Sequence, residues 1–169
     1  TRLIEMLVSY GQIDRALEQY LALADTYYQL ASTEKAREKY LEALMLAPRG
    51  TTGRLWSSQI MHKLGELDLE RGDWRRALQT YEQIKKIDPS DEKARLNLVE
   101  LYYKVQPQRA LQEIDELVKT YRAGGKAKRL IPFIEEQVRA HPKDIGLRAR
   151  AAQISIESGL KNEGITHLN

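Results

Sequence analysis

Three histidines, His62, His141 and His167, and a complete lack of cysteine bound the chemistry open to this 169-residue chain. Without cysteine there is no disulfide frame, no thiolate-bound zinc or iron-sulfur cluster and no thiol nucleophile. The histidines fall on different helices or helix ends. Neither an H-E-x-x-H run nor a paired Glu-x-x-His spacing surrounds them, so no metal site is expected. Gly124-Gly125-Lys126 is no phosphate loop, which needs four residues between its glycines, then Lys, then Ser or Thr. The acidic pairs Glu113/Glu116 and Glu135/Glu136 have Lys and Arg nearby, the pattern of a solvated helix face. No catalytic residue, metal or cofactor is assigned, and the chain reads as a non-enzyme.

Charge is the next candidate. The chain carries 27 Lys+Arg against 24 Asp+Glu, a net +3 that is too small to imply nucleic acid by itself. The densest basic cluster is Lys119, Arg122, Lys126, Lys128 and Arg129. It could meet phosphate or an acidic protein, or be a solvated turn. Its single aromatic, Tyr121, is an expected core residue, so the stacking platform of a single-stranded nucleic-acid binder is missing. With 42% hydrophobic and 30% charged residues, disorder and membrane insertion are both disfavoured. No apolar run approaches the roughly 18 residues of a spanning helix, and a cytoplasmic address is the default expectation. The chain opens with Thr1 in a stretch that already reads as helical, which suggests an excerpt of a longer protein.

The elements that must position these residues are all helical. Apolar spacing and Gly, Pro and Asp punctuation predict ten helices, near 1–9, 12–31, 33–47, 54–71, 74–87, 91–105, 107–122, 126–140, 144–158 and 161–168. Connections of two to six residues force neighbours to pack antiparallel.

Two stretches carry the same pattern. Tyr20, Leu23, Ala24, Tyr27, Ala36, Tyr40 and Pro48 form one. Met61, Leu64, Gly65, Asp68, Ala77, Tyr81 and Pro89 form the other, with Gly72-Asp73-Trp74 at its inter-helix turn. The small residues let helix axes approach, the tyrosines fill the space beside them and the prolines end the second helix. The pattern resembles the tetratricopeptide repeat. Its clear copies cover 17–50 and 58–91, and degenerate copies cover 92–122, 111–144 and 145–169. The resemblance implies a right-handed α-α superhelix of about ten antiparallel helices along 1–169, a solenoid with open ends that could self-associate.

Shifting Arg15–Gly50 by 94 residues lays it on Arg109–Asp144 without a gap, matching Ala16/Ala110, Leu17/Leu111, Thr26/Thr120, Tyr27/Tyr121 and Pro48/Pro142. This suggests a duplicated five-helix unit, although any two repeats of one family share some of these matches. Between Ala36 and Ala77 lie seven residues more than the usual repeat of about 34. Residues Thr51 to Ser57 would lengthen the fourth helix and project Trp56, either as an interaction anchor or as a cap on an adjacent helix.

In the resembled family the first helix of each repeat lines a concave groove. Helical i, i+4, i+7 spacing puts Leu21, Asp25 and Tyr28 on that face, then His62, Glu66 and Leu69, then Leu96, Glu100 and Tyr103. An acidic ladder of Asp25, Glu66 and Glu100 results, flanked by larger side chains. The Lys and Asn that family members use to hold a terminal carboxylate are replaced by Leu21 and Asp25. Such a groove suits a basic peptide, unless Lys63, Lys93 and Lys104 neutralise the acids and the tyrosines only pack. The expected role is a protein-interaction scaffold for a basic partner. The alternatives are nucleic-acid binding through the turn 119–129 or a regulatory or oligomerisation segment of a larger enzyme.

Overall fold

Helix-forming periodicity is realised along the described residues. The computed structural model describes residues 2–160 together with Thr166. Thr1, His167, nearly all of the expected helix 161–168 and the end of the last repeat lie outside the described residues. Among the described residues nine α-helices follow one another: α1 Arg2–Ser9, α2 Ile13–Gln29, α3 Thr33–Leu46, α4 Gly53–Glu70, α5 Trp74–Ile87, α6 Glu92–Val105, α7 Pro107–Ala123, α8 Ile131–Ala140 and α9 Ile145–Glu157. No strand occurs among the described residues. The expected helix 126–140 opens instead as a 3-10 turn over Ala127–Leu130 before α8 begins. Pro132 has no N–H to return to a preceding carbonyl, so the α-helical ladder cannot run unbroken through this point.

The chain forms two compact units, Thr1–Asn97 and Leu98–Asn169, divided within α6. In the first, α1 packs on α2, α2 on α3, α3 on α4 and α4 on α5. Its core includes Leu17, Ala24, Ala36, Tyr40, Ile60 and Leu64, all nearly or fully buried. Burying one such Leu contributes about 1.5–3 kcal/mol. The close approach of α4 and α5 depends on Gly65, where a Cβ would stand 2.8 Å from the Tyr81 ring. The Gly-for-space, Tyr-for-filling pattern is thus literal at this pair. In the second unit Ile114, Leu117, Leu130, Ile134, Leu147 and Ala151 are buried between α7, α8 and α9.

Five helices end in the same manner. At Gly11, Ala31, Gly72, Gly125 and Gly159 the backbone turns left-handed, with φ between 55° and 86°. In each case the N–H of that residue and that of its successor close back on the preceding turn, as in Ala31 to Tyr28 and Ser32 to Tyr27, both 2.9 Å. This pair of hydrogen bonds satisfies carbonyls the helix would leave bare.

The repetition extends to individual bonds. At an offset of 94, α2 and α7 span the same 17 positions, and Ala31 meets Gly125. Arg15 donates to Gln12 at 2.7 Å while Arg109 donates to Gln106 at 3.1 Å. Thr26 donates to the Ala22 carbonyl as Thr120 does to that of Glu116. From α4 to α9 the offset is 87, matching Ile60/Leu147, Leu64/Ala151, Leu67/Ile154 and Gly72/Gly159, each pair alike in burial or backbone. The seven-residue difference between the offsets is the extra length noted ahead of Trp56.

That extra length does not make Trp56 project. The indole is partly buried against the core of the first unit and donates from Nε1 to Asp14 Oδ1 at 2.7 Å. Asp14 also accepts from the Thr51 hydroxyl at 2.5 Å and the Thr51 N–H at 3.1 Å. These bonds, the Thr51 hydroxyl first and the indole next, hold the Asp14 carboxyl below its ordinary pKa. The ring fastens the start of α4 to α2 because a buried indole N–H needs an acceptor and Asp14 offers one.

Candidate interaction sites

In the first unit, α2 and α4 run side by side and expose one face of each. Asp25 and Tyr28 come from α2, and Lys63, Glu66, Leu67 and Glu70 from α4. With Tyr40 reaching across from α3, they line an open cleft of about 80 Å³. Its lining holds three carboxylates and one lysine. Asp25 accepts from the Tyr40 hydroxyl and, at 3.3 Å, from Lys63 Nζ. Glu70 accepts from the Tyr28 hydroxyl, and Glu66 pairs with Lys93 at the rim.

The electrostatics follow from these contacts. The Tyr40 hydroxyl is pushed well above its usual pKa, by burial first and by the bond to Asp25 second. It therefore stays a donor and orients the carboxylate. The exposed Tyr28 hydroxyl is raised chiefly by its bond to Glu70. Both lysine pairs are substantially exposed, the side chains of Lys63 and Asp25 at 41% and 44%. Exposed pairs of this kind contribute about 0–1 kcal/mol, so neither lysine is held tightly.

Of the nine groove residues expected from helical spacing, Asp25, Tyr28 and Glu66 meet at this cavity. Leu21 turns inward and is part of the hydrophobic core. His62 also turns in. Its Nε2 lies 2.7 Å from Asp91 Oδ2 and its ring stands edge-on to Tyr81 at 6.0 Å. Leu69 is half-buried and does not line the cavity. Periodicity did not reveal that Tyr40 and Leu67 complete the site, whereas Glu70 was expected at the margin of the acidic ladder. Tyr40 belongs to the packing pattern, and only its length carries the hydroxyl into the cleft.

The remaining three lie on α6. Leu96 is half-buried and belongs to the first unit, whereas Glu100 and Tyr103 belong to the second. The Glu100 carboxyl is raised above its usual range, by partial desolvation first and by repulsion from Glu136 next, although the residue still reaches solvent. Tyr103 stacks on His141 at 3.9 Å and donates to Asp144 Oδ2 at 2.9 Å. Asp144 at the same time caps α9 by accepting from the Leu147 N–H at 2.9 Å. Tyr103 thus serves to fasten a helix start.

Within the basic cluster, Lys119, Arg122, Lys126, Lys128 and Arg129 are exposed while Tyr121 is 9% exposed. Among the described residues no group of three or more His, Asp or Glu could hold a metal ion, and no helix is long and apolar enough to cross a membrane.

No protein-family model matches the sequence, and no curated protein matches it. Solved structures do match in fold. A crystal structure of MamA protein aligns with a TM-score of 0.53 at 15% identity, covering 89% of this chain and 87% of that one. MamA 41-end from Desulfovibrio magneticus RS-1 aligns at 0.51 and 15% identity, covering 89% and 90%. A tetratricopeptide repeat protein from Parabacteroides merdae ATCC 43184 aligns at 0.50 and 15% identity, covering 98% of this chain and 75% of its own. At such identity the likeness concerns the fold.

Proposed function

The chain has an all-α, tetratricopeptide-type helical-repeat fold, and from that premise we propose that it is a protein-interaction scaffold without catalytic activity of its own. Its first-unit cleft takes a Lys or Arg side chain from an extended or helical segment of a partner. One observation carries this reading: Asp25, Glu66 and Glu70 converge on a single cavity whose one lysine, Lys63, and the Lys93 at its rim are held only by exposed pairs. A guanidinium or ammonium entering there finds carboxylates already oriented by the Tyr40 and Tyr28 hydroxyls, with Leu67 beneath the aliphatic stem. A carboxylate-rich segment would meet like charge and be rejected.

The test is fluorescence anisotropy with labelled Lys/Arg-rich and Glu-rich peptides of equal length. The charge reversal Asp25→Lys with Glu66→Lys is expected to weaken the basic peptide at least tenfold by a ~1.4 kcal/mol or larger loss. Unchanged affinity for the basic peptide overturns the proposal. Nucleic-acid binding by the turn 119–129 has less support, since Tyr121 is in the core and no exposed ring accompanies the cations. Self-association through α1 has one supporting feature, the exposed Leu3, Met6 and Tyr10 on and just after that helix.

A further inference from the structure

The internal repetition places a second cleft in the second unit, at the position equivalent to the first. At the offset of 94, Asp25 and Tyr28 of α2 become Lys119 and Arg122 of α7. At the offset of 87, Lys63, Glu66 and Leu67 of α4 become Arg150, Gln153 and Ile154 of α9. Each of these five second-unit residues lines one cavity between α7 and α9, of about 310 Å³, several times the first. The correspondence reaches the bonds, since Tyr28 donates to Glu70 in one copy and Arg122 pairs with Glu157 at 2.5 Å in the other.

The charge, however, is inverted. Three carboxylates and one lysine line the first cleft; Lys119, Arg122, Arg150 and the single carboxylate Asp115 line the second. Asp115 takes the place that Leu21 holds in the first copy. From there it accepts a bidentate pair of bonds from Arg150, at 2.5 and 2.6 Å, while remaining 53% exposed. Glu157 is shared between Arg122 and Gln153 Nε2. Lys119 has no ion-pair partner among the described residues and stands beside an apolar floor of Val118 and Ile154.

We propose that this second cleft binds an acidic peptide segment, with Lys119 taking a carboxylate, Arg122 and Arg150 flanking it, and Val118 and Ile154 covering the aliphatic part of the same side chain. Arg150 already holds one carboxylate, that of Asp115, in fork geometry, and an exposed pair of this kind is exchangeable for a ligand carboxylate. An acidic peptide fits better than nucleic acid because the floor is aliphatic, with no aromatic ring in the lining on which a base could stack. The proposal does not depend on what occupies the first cleft.

The experiment uses the full chain and three labelled probes in anisotropy titrations: a Glu/Asp-rich peptide, a Lys-rich peptide of equal length and a single-stranded oligonucleotide. Lys119→Asp with Gln153→Glu writes the first cleft's charges into the second at two exposed positions. Wild type is expected to bind the acidic peptide, and this variant to bind it at least tenfold more weakly with an unchanged circular-dichroism spectrum. Lys119→Ala, which adds no charge, is expected to lose at least threefold. Asp25→Asn with Glu66→Gln is expected to leave acidic-peptide affinity within twofold, which separates this site from the first. Absence of acidic-peptide binding by wild type overturns the proposal, as does full affinity in both Lys119 variants. Tighter binding of the oligonucleotide with the same dependence on Lys119 also overturns it.

Discussion

The hairpin of α2 and α3 and the hairpin of α7 and α8 solve one geometrical problem with different side chains. Both turn through a left-handed residue, yet the first uses Ala31 at φ 55° and the second Gly125 at φ 66°. Six residues past that residue, however, the first places a partly exposed Arg37, bonded at 3.1 Å to a fully buried Asp68, and the second places a buried Ile131, which shares a crevice with Ser155. Both open a cleft toward the following helix, acidic in one copy and basic in the other. The backbone framework is therefore separable from the chemistry it displays. Helix lengths and turn bonds repeat, while the solvent-facing side chains between them have been exchanged.

The largest test of this comparison is the Arg37–Asp68 ion pair, whose carboxylate is fully buried. Arg37→Ala strands the Asp68 carboxylate inside the first unit and is expected to cost about 3–5 kcal/mol in urea denaturation. Arg37→Ile with Asp68→Ser copies the second unit's solution and is expected to recover most of that loss. Because Trp56 and Trp74 both lie in the first unit, tryptophan fluorescence reads it selectively. Failure of the double variant to recover would mean that the two copies are not interchangeable at this position.

Core truncation comes next. Leu17 is 0% exposed whereas its counterpart Leu111 is only partly buried. Leu17→Ala should cost about 2–5 kcal/mol and Leu111→Ala clearly less, because a half-exposed site loses fewer contacts and leaves no closed cavity. Denaturation of each variant by circular dichroism gives the ranking, and equal losses would contradict it.

At the turns, Ala31→Gly should stabilise by about 0.5–1 kcal/mol, since relief of the left-handed Cβ strain exceeds the added chain entropy of glycine. Gly125→Ala should lose about 1 kcal/mol for the same reason with opposite sign. Thermal denaturation of the two variants should therefore move in opposite directions.

The smallest effect is pH-dependent. Thr51 and Trp56 hold the Asp14 carboxyl below its unfolded value, so its contribution is complete above about pH 4 and fades as pH falls through the lower folded value. The equivalent position in the second copy is Gln108, which does not titrate. Acidification from about pH 5 to 3 should weaken the first unit by tryptophan fluorescence, and Asp14→Asn should flatten that part of the slope.

Much of the scaffold was legible because helical periodicity and turn glycines are local signals. Four of the five left-handed turns carry Gly, and the fifth was still placed because the apolar stripe breaks between Leu30 and Thr33. The clefts were less legible. Periodicity assigns a face but does not choose between two neighbouring faces, which is why Leu21 and His62 were placed toward solvent although both pack inward. Trp56 was expected to project because sequence spacing gives helix length without revealing that Asp14, 42 positions earlier, would accept its indole N–H. The basic cleft was half visible. Lys119 and Arg122 stood out as a charge cluster, but only packing of α7 beside α9 brings Arg150 and Gln153 to them.

The most direct measurement is amide chemical-shift mapping of the isotope-labelled full chain with a Lys/Arg-rich peptide and, separately, a Glu-rich peptide. One framework carrying two clefts of opposite charge predicts that the basic peptide shifts amides around Asp25, Tyr28 and Glu66, and the acidic peptide those around Lys119, Arg122 and Gln153. Shifts from both peptides in the same cleft, or from neither in either cleft, would contradict it.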